Sequence, residues 1–168
     1  LGRRPLDAPP PDDQPERIIA RDATSTYFVR IMDSVLDLLN RQAVEAYLVK
    51  AYKEPWHSRF ADQFGRTVEA VWVDEPHFRP PLLPWSESLP ARFRDAWGYS
   101  IEEHAPSLFT ETGDWQRVRH HYWRTVTAMF IESYFEPVGQ WCTDHDIKFS
   151  GHLMGEDSSK VVICRYNV

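Results

Sequence analysis

An α/β fold with parallel strands is what this sequence predicts, and three observations carry the prediction. Val68 to Val73 is a short apolar run that leads directly into Asp74, Glu75 and Pro76. Ile147 to His152 is a second short run, leading on to Glu156 and Asp157. Between them lies an apolar stripe at helical spacing, Val118, Tyr122, Val126, Met129, Phe130 and Tyr134, followed by Pro137. Strand, helices, strand is a βαβ progression, so the second strand is expected parallel to the first, with a long helix kinked at the proline between them. In such folds ligands bind beyond the carboxyl ends of the strands, where this sequence delivers carboxylates.

The remaining elements follow in chain order. Leu1 to Arg17 carries Pro5, Pro9, Pro10, Pro11 and Pro15 among charged residues and reads as an irregular or extended arm without a core of its own. Ile18 to Ala20 fits a short strand, whereas Tyr27 to Leu39 is apolar with mixed period and takes no assignment. Asn40 is a suitable N-cap for a helix marked by Val44, Leu48 and Tyr52. Pro55 interrupts that helix, Phe60 and Phe64 continue it, and Gly65 suits a left-handed end. Thr67 to Val73 lacks clean polar alternation, which fits a buried parallel strand. Pro76, Pro80, Pro81 and Pro84 make a stiff loop, and Leu89, Phe93 and Trp97 mark a short helix closed by Gly98. Ser100 and Glu103 have capping-box spacing for another helix, and Asp114 caps the longest one. Val138, Trp141 and Cys142 extend its stripe past Pro137, and Asp146 turns the chain into the second strand. The chain thus divides into an arm (1–17), a main α/β region (18–157) and an unassigned tail (158–168), in which Val161 to Cys164 has strand composition.

Composition narrows the function classes. A chain of 168 residues can bury the core of one domain, and its net charge of −6 argues against a duplex nucleic-acid partner. No apolar run approaches the ~20 residues of a membrane-spanning helix. Nothing at the N-terminus resembles a signal peptide, but the chain starts at Leu1 and reads as a piece of something longer, so the compartment stays open. Cys142 and Cys164 show no metal-type spacing, and Cys142 inside a helix reads as a buried free thiol. Seven Trp, seven Tyr and nine Phe exceed what a generic core needs. Aromatic faces stack on sugar rings as readily as they fill cores, and Trp72, Trp85 and Phe78 are the ones expected near a cleft.

Two segments can carry chemistry. Glu75 follows an apolar strand and precedes Pro76, which turns the chain away, so its carboxylate is expected on a rim beside Trp72 or Trp85. Partial burial there keeps a carboxylic acid protonated for general acid work. The plain alternative is that Asp74 or Glu75 caps a turn or pairs with Arg79. In the second segment, Gly151 permits close backbone approach, His152 can hydrogen-bond a hydroxyl or orient a carboxylate, and Gly155 frees the loop to aim Glu156 inward. Here the alternative is a surface turn. His120 and His121 point about 100° apart on a helix and cannot share one ion. Arg117, Arg119 and Arg124 read as a solvated face beside Glu111 and Asp114. His77, beside Asp74 and Glu75, gives only a weak cation reading. No Gly-rich phosphate loop and no Gly-x-Ser-x-Gly elbow is present, and no cofactor is expected from the residues.

Taken together, these segments resemble the central barrel region of bacterial glycoside hydrolases of the α-L-rhamnosidase type, family 106 and its uncharacterised relatives. The resemblance runs from about Tyr27 to Asp157. It rests on Leu38-Leu39-Asn40 with Ala43 to Ala46, on Phe64-Gly65 through Val73-Asp74-Glu75-Pro76, on Arg117-Val118-Arg119 with Tyr122-Trp123, and on Ser150-Gly151-His152-Leu153 to Glu156. Pro84-Trp85-Ser86 and Trp97-Gly98-Tyr99 also fit. It implies a partial (β/α)₈ TIM-type barrel that cleaves glycosidic bonds, with Glu156 as proton donor and Glu75 as partner base or substrate-binding carboxylate. His152, Asp74, Trp72 and Trp85 would bind a carbohydrate substrate. Calcium is a cofactor of some members, by resemblance only. The competing expectation is a non-catalytic carbohydrate-binding or interaction module. A full barrel takes ~250 residues, so this chain is expected to be a fragment, a truncated gene product or a divergent remnant, and to associate through exposed strand edges.

Overall fold

The computed structural model describes residues 1–10, 15–30, 36–78 and 82–153. The chain forms two compact units, one from residues 1–35 and 78–126, the other from 36–77 and 127–168.

The first unit is built on an antiparallel sheet of β1 (Gly2–Pro5), β2 (Glu16–Arg21) and β3 (Ser25–Arg30), in the order β1-β3-β2. A tight turn explains the β2–β3 hairpin. The Asp22 carboxylate accepts hydrogen bonds from the Thr24 and Ser25 amides, both at 2.8 Å, which reverses the chain in the manner of an Asx-turn. The Tyr27 hydroxyl donates to the same carboxylate at 2.5 Å, and these bonds hold Asp22 down at a pKa of about 2. Glu16 accepts from Arg30 at 2.8 Å and from Arg4 at 3.3 Å, tying all three strands together. α3 (Leu89–Trp97), α4 (Ala105–Phe109) and most of α5 (Trp115–Phe130) belong to this unit. Its core contains Tyr27, Leu89, Phe93, Ile101, Val118, Tyr122 and Val126, all fully buried.

The second unit starts with α1 (Arg41–Leu48), whose Asn40 cap accepts from the Gln42 and Ala43 amides. A π-helical stretch, Val49–His57, takes in Pro55 and is followed by the short α2 (Ser58–Phe60). Proline cannot donate the ordinary helical hydrogen bond, so the wider register at this point is a physical answer to the sequence. The last turn of α5 passes through a second π-helical stretch, Ile131–Phe135, into α6 (Glu136–Asp144). The helical run expected across Pro137 is thus continuous, with the π-helical turn just before that proline. β4 (Ala70–Asp74) and β5 (Lys148–His152) form a parallel pair in the register Ala70↔Lys148 through Asp74↔His152. Val44, Leu48, Met129, Phe130, Val138 and Cys142 fill the core, where the Cys142 thiol is free and burial raises its pKa.

Several expectations are corrected. The partial (β/α)₈ TIM-type barrel is not the fold. The described strands form a three-stranded antiparallel sheet and a separate two-stranded parallel sheet. The reason lies in connection length, because Ile18 and Tyr27 are too close in sequence for a parallel crossover and can pair only as a hairpin. The Pro-rich segment is not an irregular arm throughout, since β1 pairs with β3 and Leu1 is 3% exposed. Ile101 to His104 forms turns, and α4 starts only at Ala105. β4 is parallel as expected but not buried on both faces, because Trp72 is 62% exposed. The strand expected at Val161 to Cys164 lies outside the described residues.

Candidate functional site

The parallel pair brings the two chemistry-bearing segments to one end. Asp74 closes β4 and His152 closes β5, and the register sets them side by side. His152 Nε2 lies 3.2 Å from Asp74 Oδ1 and 3.6 Å from Glu75 Oε1. One imidazole nitrogen thus bridges two carboxylates, as an ion pair when the ring is protonated. Glu75 reaches it through an uncommon backbone conformation. Its amide still donates to the His152 carbonyl at 3.2 Å, but its φ is +50°, in the left-handed region. That conformation is costly for a residue with a Cβ and recurs at functional sites. The carbonyl of Glu75 in turn lies 2.7 Å from His77 Nδ1, so His77 braces the turn from outside.

Close backbone approach makes this geometry attainable. A β-carbon at Gly151 would stand 2.1 Å from the Val73 carbonyl oxygen, and Gly151 has φ +145°. Only glycine lets β5 come this near β4 and hand His152 to Asp74.

Trp72 stands on the same face of the pair, its ring centroid 5.8 Å from that of His152 and edge-on to it. Beside the rim is an open cavity of about 280 Å³ lined by Val73, Phe135, Phe149, Gly151, His152 and Leu153. The rim therefore combines an exposed aromatic face, a half-exposed carboxylate (Glu75, 45%), an exposed one (Asp74, 77%) and an imidazole that orients both. Such a set can bind hydroxyls, stack on an apolar ring face and exchange protons. Both carboxylates lie within 3.6 Å of one nitrogen, so those oxygens are no more than about 7 Å apart.

The structure thus brings together Asp74, Glu75, Trp72 and His152. Trp85 and Phe78 belong to the first unit, and among the described residues the buried indole nitrogen of Trp85 has no hydrogen-bond partner. Glu156, Gly155 and Arg79 lie outside the described residues. Sequence reasoning missed Phe135 and Phe149 as cavity walls, and missed Ser150 and Lys148 as neighbours of Trp72 on the strand face. A period-2 reading of Lys148, Ser150 and His152 was the available signal. Among the described residues no group of three or more His, Cys, Asp and Glu side chains is arranged to hold a metal ion.

The helix carrying His120 and His121 has a different use for its histidine. His121 stacks on Trp97 at 3.7 Å, and its Nδ1 lies 3.0 Å from the Tyr99 hydroxyl. Arg119 is not merely solvated, since it donates to the carbonyls of Ser107 and Thr110, while Arg117 pairs with Asp114 at 2.9 Å. Among the described residues no helix is long and apolar enough to cross a membrane. Compared with protein-family models and with curated proteins, the chain matches none of either.

Proposed function

We propose that the rim at the carboxyl end of β4 and β5 is a carbohydrate site of the glycoside hydrolase kind, α-L-rhamnosidase-like in the resemblance that its segments carry. The observation that supports this reading is the gathering of Asp74, Glu75 and His152 at one end of a parallel pair beside an exposed tryptophan. In this reading Glu75 acts as the base or substrate-binding carboxylate, with His152 holding it in place. Glu156 supplies the proton to the leaving oxygen, a role that rests on the resemblance alone.

Turnover of an aryl α-L-rhamnoside, alongside other aryl glycosides, is the test. Glu75→Gln and Glu156→Gln are each expected to lower the rate by about 10²–10⁴-fold, the range for removing an acid or base. Unchanged rates in both variants overturn the reading. The second reading, a non-catalytic carbohydrate-binding module, is favoured by the openness of Trp72 at 62% exposure. Binding of a glycoside without turnover, unaffected by Glu156→Gln, selects it.

A further inference from the structure

We propose that the ligand of this rim is an acidic oligosaccharide whose anionic group is met by Lys148, an inference that rests on the carbohydrate reading above. The register defines a track. The face of the parallel pair that carries Asp74 and His152 carries Trp72 and Ser150 one rung back, and Ala70 and Lys148 one rung further. Every one of these residues except His152 is exposed. Parallel strands ordinarily bury both faces, so an open face with a tryptophan at its centre is available as a platform. At about 3.3 Å per residue, Lys148 stands about 13 Å along the strand from His152, with Trp72 midway.

The chemistry changes sign along that track. Two carboxylates stand at one end, an aromatic floor in the middle and an ammonium at the other. A sugar engaged by Asp74 and Glu75 puts its neighbour over Trp72, and the unit beyond reaches Lys148. Ala70 opposite Lys148 carries only a methyl group and leaves the approach clear. Among the described residues no carboxylate lies within ion-pair distance of Lys148. A neutral glycan leaves that charge unanswered. A carboxylate of a uronic acid or a sulfate ester gives it a charge-assisted hydrogen bond, and a lysine, as a point charge, accepts either anion.

Calorimetric titration of the whole chain with matched oligosaccharides, neutral, uronate-bearing and sulfated, tests the proposal. At low salt one or both acidic ligands are expected to bind about threefold to fivefold tighter than the neutral one. That preference should vanish in Lys148→Gln and at high salt, with neutral binding unchanged, while Trp72→Ala weakens all ligands. Which acidic ligand carries the preference identifies the anion. Equal binding of neutral and acidic ligands, or a preference that survives Lys148→Gln, overturns the inference and leaves the carbohydrate reading standing. Binding of none of them overturns both.

Discussion

At residue scale, position 151 decides whether the rim exists. Alanine there would drive its β-carbon into the Val73 carbonyl, in a backbone region closed to it. Gly98 makes a useful comparison, since its φ is +77° but nothing lies within 4 Å of an added β-carbon. Gly98→Ala is expected to cost about 1 kcal/mol, the conformational part alone. Gly151→Ala should cost about 1–3 kcal/mol more and also abolish ligand binding, because β5 must move and take His152 from Asp74. Chemical denaturation and titration of the two variants read both effects. Asn40→Ala should cost about 1 kcal/mol by removing a cap that accepts from two amides. These positions were legible because their chemistry is local. A cap, a left-handed glycine and a close approach each need a particular residue type wherever they occur. The left-handed φ of Glu75 was not legible, since nothing in Asp-Glu-Pro demands it.

At the scale of elements, two histidines from different helical segments of the second unit meet. The His57 and His145 rings lie 4.3 Å apart edge to face, and His145 stacks on Trp141 at 4.2 Å. His145 Nδ1 donates to the Trp141 carbonyl at 2.7 Å. Burial, followed by the nearby His145 and Lys53, lowers the pKa of His57 from its ordinary 6.5. A depressed histidine is neutral in the folded state, so its contribution is intact above pH 6.5 and is lost as pH falls through the lowered value. The unfolding midpoint should therefore fall on acidification, and His57→Gln should fall less steeply over the same range in thermal melts. A wild-type slope identical to the variant's would exclude this contact as the cause. None of this pairing could be read from the sequence, because His57 and His145 are far apart and neither sits in a recognisable pattern. The helices themselves were legible from apolar spacing. The hairpin was not, since Tyr27 to Leu39 mixes periods and the β2 register shifts between Ile18 and Ala20. The barrel expectation failed for a related reason: one true βαβ crossover says nothing about how many others the chain contains.

For the molecule as a whole, apolar surface is the outstanding property. Trp72, Trp56 and Phe60 are 62%, 58% and 45% exposed. Trp72 stands on a sheet in which, among the described residues, only two strands pair, and such small sheets invite association at their edges. Sedimentation is expected to show concentration-dependent self-association that Trp72→Thr reduces, without a matching loss of thermal stability. A monomer at all concentrations would sink this expectation.

The order in which the chain is built gives the interleaved units a temporal meaning. β1, β2 and β3 fall within the first 30 residues, so their sheet can close while the rest is still being synthesised. β4 has no such fortune. Its partner among the described residues, β5, ends at His152, and the intervening chain passes through the other unit first. Until β5 emerges, Trp72 stands on a lone strand, and the acid–imidazole rim has no imidazole. Contacts this distant along the chain form slowly, so the rim is expected to be the last part of the described chain to form. Pulse-labelled hydrogen exchange should find the amides of β2 and β3 protected before those of β4.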